Sequence, residues 1–292
     1  MSPALLGKCA EYGIIITFLT PSGKFLARSV GKTYGNVIVR RAQYRIADDP
    51  KHSLHIAANM ISAKMTNSAA VLRRVLSDHR DCVDAVRIEN AAADIRNSAI
   101  RAYSAESSES LRGLEGECAN RYFSVFDELI LTQKEEFRYN GRNRRPPMDP
   151  VNAMLSFGYA LMTSLCTSAL ESAGLDPYVG FFHTDRPGRC SLALDLLEEF
   201  RAPFVDRFVL TMINKKVVSE SSFHRKENGA VLLTDAARAD FLTQWQKKKS
   251  EEIIHPFLKE KVQWGMIPFV QAMLLVKYIR SDLDDYPPFI WK

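Results

Sequence analysis

The chain has 292 residues, of which 46% are hydrophobic and 25% charged, a composition that excludes a disordered or fibrous protein and allows a sizeable core. Its net charge of +5 is a mild basic excess, which is compatible with nucleic acid but is shared by many proteins that bind none. Five widely spaced cysteines without a C-x-x-C pair argue against a zinc ribbon and predict mostly buried thiols in a reducing cytoplasm.

The first thirty residues predict a short helix and a β-hairpin. Residues 2–13 have a helical pattern that ends at a glycine. Residues 14–19 are rich in β-branched residues, and a PSG turn at 21–23 separates them from a second strand at 24–30. A lone hairpin is marginally stable and needs more strands or a helix to pack on. The chain therefore begins as if inside a small β-containing domain.

From about residue 36 the hydrophobic periodicity predicts a mainly α-helical protein. The predicted helices cover residues 36–48, 52–78, 83–105, 106–131, 150–174, 192–200, 203–216, 234–253 and 262–283. A small strand-like excursion at 219–233 turns at Asn228–Gly229. Thr234 is the candidate N-cap of the helix after it, and Gly174 is the candidate stop of the most apolar helix. The proline- and aromatic-rich tail, 284–292, is expected to pack on the body or on a partner.

A carboxylate interrupts the apolar stripe of the fourth predicted helix. Glu115 falls in this stripe and lies between Gly113 and Gly116, which are poor helix formers. One interpretation is a half-exposed residue at the edge of the stripe. The other is a carboxylate aimed into a cleft, where the glycines let a backbone come close.

An arginine-rich loop follows at residues 135–150. It combines Arg138, Arg142, Arg144 and Arg145 with an aromatic residue, an asparagine pair and prolines. Guanidinium groups in such a setting suit contacts to a phosphate backbone. An ordinary solvated loop is the alternative, and the predominance of arginine over mixed charges favours phosphate contact.

The apolar run 178–182 leads into His183, and the run 192–200 carries Asp195 and Glu198. If the second run is helical, these two carboxylates lie on neighbouring turns of one face. Carboxylates on an apolar helix are costly to bury without a partner, and a nearby histidine suggests a divalent metal.

Glu115, His183 and Glu198, with Asp195 in support, form a plausible carboxylate–imidazole–carboxylate site. Such ligands suit Mg²⁺ or Mn²⁺, which polarise phosphoryl oxygens in phosphodiester chemistry. In the alternative interpretation His183 is a core histidine, and Asp195 caps a helix or forms a salt bridge with Arg189 or Arg201.

Other function classes find no support in the sequence. No G-x-S-x-G elbow and no phosphate-binding P-loop occur, so α/β-hydrolase and nucleotide-triphosphatase interpretations have no motif. The most apolar windows, such as residues 14–19, are too short to span a bilayer, and no secretion signal is recognisable, so we expect no membrane and a cytoplasmic location. We interpret the remaining histidines as structural or surface residues: His52, His55, His79, His224 and His255.

Four blocks of sequence together resemble one known family. They are LRGLEGECANRYF at 111–123, FRYNGRNRRPPMDPVNAMLSFGYAL at 137–161, AGLDPYVGFFH at 173–183 and SLALDLLEEFRAPFVDRFVL at 191–210. In order and spacing they resemble the CRISPR-associated integrase of spacer acquisition, the first of the universal adaptation proteins (Cas one). The segments RAQYRIADD and PPFIWK look most like the variety found in type I-C systems.

The resemblance implies a mainly α fold with two domains. Residues 34–292 would be the large all-helical catalytic domain, and residues 1–33 would be a helix and hairpin left from a small N-terminal β-domain. Relatives begin with several further strands, so we expect either a start codon upstream or a truncated chain. Since the family dimerises largely through that β-domain, formation of the homodimer depends on whether those further strands are present.

The resemblance also implies an activity and its residues. The family is a metal-dependent DNA endonuclease and integrase, which joins the 3′-hydroxyls of a captured fragment (the prespacer) to a CRISPR repeat by transesterification. By position in the motifs, Glu115, His183 and Glu198 would bind Mg²⁺ or Mn²⁺, with Asp195 beside them. The loop residues Arg142, Arg144 and Arg145 would face DNA.

The resemblance further implies partners. The family works as homodimers bridged by a small ferredoxin-like protein (Cas two), and type I-C relatives also act with an iron–sulfur nuclease (Cas four). The alternative function is a catalytically idle subunit that binds DNA or acts as a scaffold in the same complex.

Overall fold

The structure, a computed structural model, describes residues 1–12, 14–20, 25–31 and 37–291. In these ranges the chain is mainly α-helical, as predicted, and has three two-stranded antiparallel sheets. The helices are α1 (Pro3–Glu11), α2 (Val37–Asp48), α3 (Pro50–His79), α4 (Ala85–Tyr103), α5 (Ser108–Ser124), α6 (Pro150–Ser172), α7 (Ser191–Glu198), α8 (Arg207–Asn214), α9 (Asp235–Ser250) and α10 (Ile267–Ile279). The strands are β1 (Ile16–Leu19), β2 (Phe25–Ser29), β3 (Phe223–Arg225), β4 (Val231–Leu233), β5 (Glu252–Ile254) and β6 (Lys261–Gln263).

The long helix α3 is the centre of the helical body. Asp49 caps its N-terminus by accepting hydrogen bonds from the backbone N–H groups of Lys51 and His52 at 2.9 and 3.2 Å. Its apolar side chains recur at helical spacing and pack against α4, α5 and α7. The residues of α3 that face these helices therefore lie at the junction of three elements.

Helix α6 is long and apolar enough to cross a membrane by length and composition, contrary to the expectation that every apolar window is too short. Of its most apolar window, 61% is buried inside the fold, which is typical of a core helix. The predicted stop is confirmed, because Gly174 takes a positive φ of 85° and its N–H donates to the carbonyl of Glu171.

The N-terminal hairpin pairs β1 with β2 antiparallel and rests on α6. Ser164 donates to Thr17 at 3.2 Å, and Arg28 forms an ion pair with Glu171. The partner that a lone hairpin requires is thus the core helix. The predicted PSG turn at 21–23 and the proposed domain boundary after residue 33 lie outside the described residues.

Three helix predictions were wrong at their ends. The fourth helix stops at Ser124, and the buried residues after it form a separate 3₁₀ turn, Phe126–Leu129, which a helical apolar spacing alone does not distinguish from an α-helix. The predicted helix 203–216 starts as a π-helical turn, Arg201–Asp206, before α8. The last helix begins only at Ile267, since Pro268 is tolerated in the first turn of a helix but not inside it.

The hairpin β5–β6 was not predicted. Residues 251–253 were assigned to the end of the preceding helix, but Glu252–Ile254 is a strand that pairs with Lys261–Gln263. Pro256 follows closely and biases the residue before it to an extended backbone, which prevents the helix from continuing. The N-cap Thr234 is confirmed, since its side chain accepts from the N–H of Ala237.

The expectation of mostly buried thiols was also wrong. Cys118 and Cys166 are buried, whereas Cys82 is exposed and Cys9 and Cys190 are partly exposed. These three thiols lie at or near the ends of helices, where the chain is less covered, whereas Cys118 and Cys166 lie inside α5 and α6.

The proline-rich tail packs on the body, one of the two expected arrangements. Tyr286 and Phe289 are buried, and Trp291 lies against the guanidinium of Arg207 at 4.1 Å. We define the tail cluster as residues 284–291 together with the polar side chains that hold them, those of Asn67, Glu199 and Gln271. The tail is therefore part of the described body.

Candidate functional site

A narrow pocket of about 150 Å³ collects ionisable side chains from separate segments of the chain. It is lined by Glu115 of α5, His183 of the loop before α7, and Glu198 at the end of α7. Its other charged lining residues are Lys64 of α3, Arg144, and Arg201 and Asp206 of the π-helical turn. The structure thus brings together the three side chains that were predicted as metal ligands.

The structure agrees with the interpretation in which the carboxylate of Glu115 faces a cleft. The side chain is 27% exposed and lines the pocket. The expected function of the glycines beside it is not found: a Cβ at Gly113 or Gly116 would meet no described atom within 4 Å. Neither glycine is therefore needed for a close approach within the described chain.

The ammonium group of Lys64 lies between two of the predicted ligands. Its Nζ donates to Oε1 of Glu115 and lies 2.7 Å from Oε2 of Glu198. The same Oε2 accepts from Nε of Arg201 at 2.8 Å. The two carboxylates therefore converge on one shared cation.

Asp195 lies behind His183 and does not line the pocket. Its carboxylate is fully buried and accepts from the backbone N–H groups of residues 181–183 at 2.6, 3.0 and 2.9 Å. Its Oδ1 also lies 2.6 Å from Nδ1 of His183, an arrangement in which Nδ1 carries a proton toward Asp195 and Nε2 is the ring nitrogen that Asp195 does not engage. Asp195 thus orients His183, while Glu198 contacts different partners.

The loop before α7 needs a glycine at position 180. A Cβ there would lie 2.8 Å from Oδ2 of Asp195 and 2.9 Å from Ser191. On the other side, Arg112 of α5 donates to the carbonyl of Phe182 at 3.1 Å and lies over its ring. The backbone that carries His183 is therefore held from both α5 and α7.

A buried polar layer lies under the pocket. Arg201 stacks on the ring of Tyr159 at 4.5 Å, and the hydroxyl of Tyr159 donates to Asp206 at 2.5 Å. Burial raises the pKa of Asp206 to about 6, despite its hydrogen bond and the nearby arginines. The π-helical turn supplies both Arg201 and Asp206 to this layer.

The electrostatics of the pocket favour the charged forms of its ion pairs. Burial would raise the pKa of Glu198, but Arg201, Lys64 and His183 outweigh it and lower that pKa to about 2. Burial likewise opposes the charge of Lys64, yet Glu198 and Glu115 raise the pKa of its ammonium. Lys64 and Glu198 therefore hold each other in the charged form.

The donor set fits a divalent cation in its chemistry but not in its present arrangement. Two carboxylates converge on the ammonium of Lys64, which acts as a stand-in cation, and His183 offers an imidazole nitrogen in the same pocket. Within the described ranges, no group of three or more His, Cys, Asp or Glu side chains is already placed to hold a metal ion. The ammonium of Lys64 therefore lies where the two carboxylates of this donor set meet.

The arginine loop divides into an inner and an outer part. Arg142 is partly buried and donates to Asn152 and Ser156 at 2.5 and 3.1 Å, so its guanidinium is bound within the fold. Arg144 is exposed and lines both the pocket and an adjoining groove of about 660 Å³. Arg138 and Arg145 are exposed and line neither.

Lys64 and the polar layer under the pocket were not predicted from the sequence as parts of the site. A signal for Lys64 was present, because it is a lone cation between the apolar residues Ala63 and Met65 in the middle of a mostly buried helix. Arg201 was considered only as a partner of Asp195, whereas it pairs with Glu198 three residues earlier. Charged residues inside apolar stretches of the sequence therefore indicate the lining of this pocket.

Comparison with known proteins gives a match over most of the chain. The family model described as "CRISPR associated protein Cas1" matches residues 1–247. "CRISPR-associated endonuclease Cas1 1" of Chlorobaculum tepidum is 48% identical over 291 residues, which cover 100% of this chain and 85% of that protein. "CRISPR-associated endonuclease Cas1 2" of Rhodospirillum rubrum is 47% identical over 296 residues, with the same coverages. A "CRISPR-associated exonuclease Cas4/endonuclease Cas1 fusion" of Geobacter sulfurreducens is 36% identical and is covered over 52% of its length.

Solved structures share the fold. A "Casposase bound to integration product" superposes with a TM-score of 0.85 at 25% identity, covering 98% of this chain and 78% of that one. A "Cas6-RT-Cas1--Cas2 complex" superposes with a TM-score of 0.80 over 100% of this chain and 31% of that one. At 21% identity the second likeness is one of fold alone.

Proposed function

The chain belongs to the Cas1 family of CRISPR-associated endonucleases and integrases, and from this premise we propose a metal-dependent reaction on DNA. In this reaction the 3′-hydroxyls of a captured DNA fragment attack the CRISPR repeat by transesterification, which inserts the fragment as a new spacer. The observation that carries the proposal is the convergence of Glu115 and Glu198 on one cation, in a pocket that His183 and Arg144 also line.

In the proposed site Glu115, Glu198 and Nε2 of His183 would hold Mg²⁺ or Mn²⁺. The bound ion would supply charge stabilisation at the phosphoryl oxygens and a low pKa for an attacking oxygen. Asp195 orients His183 and keeps its proton on Nδ1, so that Nε2 remains a ligand. Its role is to position, because it does not line the pocket.

Arg144 is the loop residue best placed to hold DNA phosphates. It is exposed and connects the pocket to the adjoining groove, so a strand in the groove would bring a phosphate to the pocket. Arg138 and Arg145 are exposed further along the loop and would add less specific contacts. The internal hydrogen bonds of Arg142 favour a structural role in shaping the loop.

The proposed assembly is a cytoplasmic homodimer that works with a Cas2-type protein on prespacer and repeat DNA. The family membership supports this, as does the likeness of fold to a chain of a Cas1–Cas2 complex. A Cas4-type iron–sulfur nuclease is a further proposed partner, supported by a relative in which Cas4 and Cas1 are fused. The type I-C variety remains part of this proposal.

A catalytically idle subunit, which binds DNA or acts as a scaffold, is the second candidate. The observation that favours it is Lys64, whose ammonium occupies the space between two predicted ligands. Such a subunit would bind DNA in a salt-sensitive manner without turnover.

Strand transfer with purified protein distinguishes the two candidates. The chain is incubated with a labelled fragment and a repeat-containing duplex, alone and with its Cas2-type partner, in Mg²⁺, in Mn²⁺ and with chelator. We expect metal-dependent joining that is lost in Glu115→Gln, His183→Ala and Glu198→Gln. Glu117→Gln is the matched control, since this neighbour on α5 is exposed and outside the pocket. Joining that survives all three changes, or that ignores chelator, contradicts the site assignment.

A further inference from the structure

Lys64 is an unusual residue in its setting. It lies in the middle of α3 between Ala63 and Met65, both of which are fully buried. Its own side chain is 11% exposed. A lysine that is mostly buried needs its charge paired, and here the ammonium is paired by two carboxylates at once.

The charges around Lys64 balance without any added ion. Lys64 and Arg201 supply two positive charges, and Glu115 and Glu198 supply two negative ones. A divalent cation added to this set would leave an excess of two positive charges in a pocket of about 150 Å³. Like charges within a few ångströms of each other repel strongly where water is scarce.

The two cations differ in how easily they can leave. The guanidinium of Arg201 is stacked on Tyr159 and belongs to a helical turn that is packed in the core. Lys64 has a flexible four-carbon stem, and no other contact of its ammonium is seen among the described residues. The ammonium of Lys64 is therefore the charge that can move without a change of backbone.

We propose that Lys64 is a resident cation that keeps Glu115 and Glu198 together in the metal-free protein and that a divalent cation must displace. This inference rests on the proposed function, because it takes these carboxylates as ligands. Lys64 thereby weakens metal binding and stabilises the empty pocket. The same exchange explains why the carboxylates converge although no metal-ready cluster is present in the described chain.

Direct titration with Mn²⁺ tests the exchange without reference to turnover. Free Mn²⁺ is followed by electron paramagnetic resonance in the full chain, in Lys64→Met and in Lys51→Met, the same substitution at an exposed lysine of the same helix. We expect Lys64→Met to bind Mn²⁺ about tenfold more tightly or better, because a unit charge near the ion is removed. Lys51→Met should match the unmodified chain. Unchanged or weaker Mn²⁺ binding in Lys64→Met overturns the proposal.

A second measurement uses the unmodified chain and does not depend on whether the variant folds. Reductive methylation followed by mass spectrometry reports how accessible each lysine amine is, with and without saturating Mg²⁺. We expect Lys64 to be protected without Mg²⁺ and to react several-fold faster with it, while Lys51 reacts equally in both. Equal protection of Lys64 in both conditions contradicts displacement.

The outcomes separate this inference from the proposed function. If Mn²⁺ binds and is lost in Glu115→Gln, while Lys64→Met changes nothing, the metal site stands and the role of Lys64 is wrong. If neither the unmodified chain nor Lys64→Met binds Mn²⁺, the metal site itself is wrong and the inference falls with it.

Discussion

Two consecutive glutamates at the end of α7 have opposite electrostatic surroundings. Glu198 is 3% exposed and lies between the cations of Lys64 and Arg201, which lower its pKa to about 2 against the effect of burial. Glu199 is fully buried, and desolvation raises its pKa to about 7. One carboxylate is thus charged in the pocket, and the other is half-protonated near neutral pH in the tail cluster.

The partners of Glu199 are neutral donors. Its Oε1 accepts from the hydroxyl of Tyr286 at 2.6 Å, and its Oε2 accepts from Gln271 and from the backbone N–H of Phe289 at 3.0 and 2.8 Å. Neutral donors stabilise a buried carboxylate less than a paired cation does. Burial alone therefore does not decide the charge of a carboxylate, because the partners on each side of α7 determine it.

The largest expected difference between the two glutamates is in activity. Glu198→Gln should reduce strand transfer by about a thousandfold or more, because it removes a charged ligand from the proposed site. Glu199→Gln, the same change one residue later, should keep activity within about threefold, since it acts only inside the tail cluster. Rates measured under identical metal and DNA conditions check this. Equal losses in both variants would remove the functional distinction between the two sides of α7.

The next largest expected effect is on the free energy of unfolding. Glu199→Ala should lower the free energy of unfolding by about 4 kcal/mol, because three buried donors lose their acceptor and a cavity forms. Urea unfolding at pH 7 measures it. The exposed Glu117→Ala is the control and should change stability by less than about 0.5 kcal/mol. A loss below about 1 kcal/mol would mean that Glu199 does not hold the tail.

The pH dependence of the free energy of unfolding tests the raised pKa of Glu199. The folded pKa of Glu199, about 7, lies above its ordinary value of 4.5, so the folded state holds the proton more tightly. Its contribution to stability is therefore complete below about pH 4.5 and is lost as the pH rises through about 7, a decline of about 3 kcal/mol. Glu199→Gln should lack this decline. Unfolding free energies of both proteins between pH 4.5 and 8 are compared, and parallel curves would contradict the raised pKa.

The smallest effect concerns the end of the tail. Trp291→Ala should cost about 1 kcal/mol, because it removes the contact of the indole ring with the guanidinium of Arg207 while the backbone hydrogen bond to Asn67 remains. Thermal unfolding measures the loss. Trp291→Phe should recover part of it, and equal losses in both variants would show that the aromatic face is not the source.

Much of the fold could be predicted from the sequence, because local signals are strong where helices start and stop. Thr234 and Gly174 marked a start and a stop correctly through side-chain and backbone chemistry that acts within a few residues. The π-helical turn and the hairpin β5–β6 could not be predicted from periodicity, since tertiary packing determines both. Pro268 did mark the start of the last helix, but the hydrophobic pattern before it was misleading.

The candidate site was predicted in part. Glu115, His183 and Glu198 stood out as polar residues in apolar stretches or motifs, and the structure places them around one pocket. Lys64 could not be assigned to them, because its contacts with Glu115 and Glu198 span long stretches of chain and depend on how α3, α5 and α7 pack. The separate surroundings of Glu198 and Glu199 were equally invisible, since neighbouring identical residues have the same local sequence.

The tail cluster has a consequence for biosynthesis. Asn67 of α3 donates to the carbonyls of Glu199 and Phe289 and accepts from the N–H of Trp291, which is 224 positions later in the chain. Because a ribosome releases residues in order, α3 and α7 emerge long before the segment that joins them. The framework behind the pocket is therefore completed only when residues 286–291 have left the exit tunnel, so a nascent chain that stops earlier lacks it.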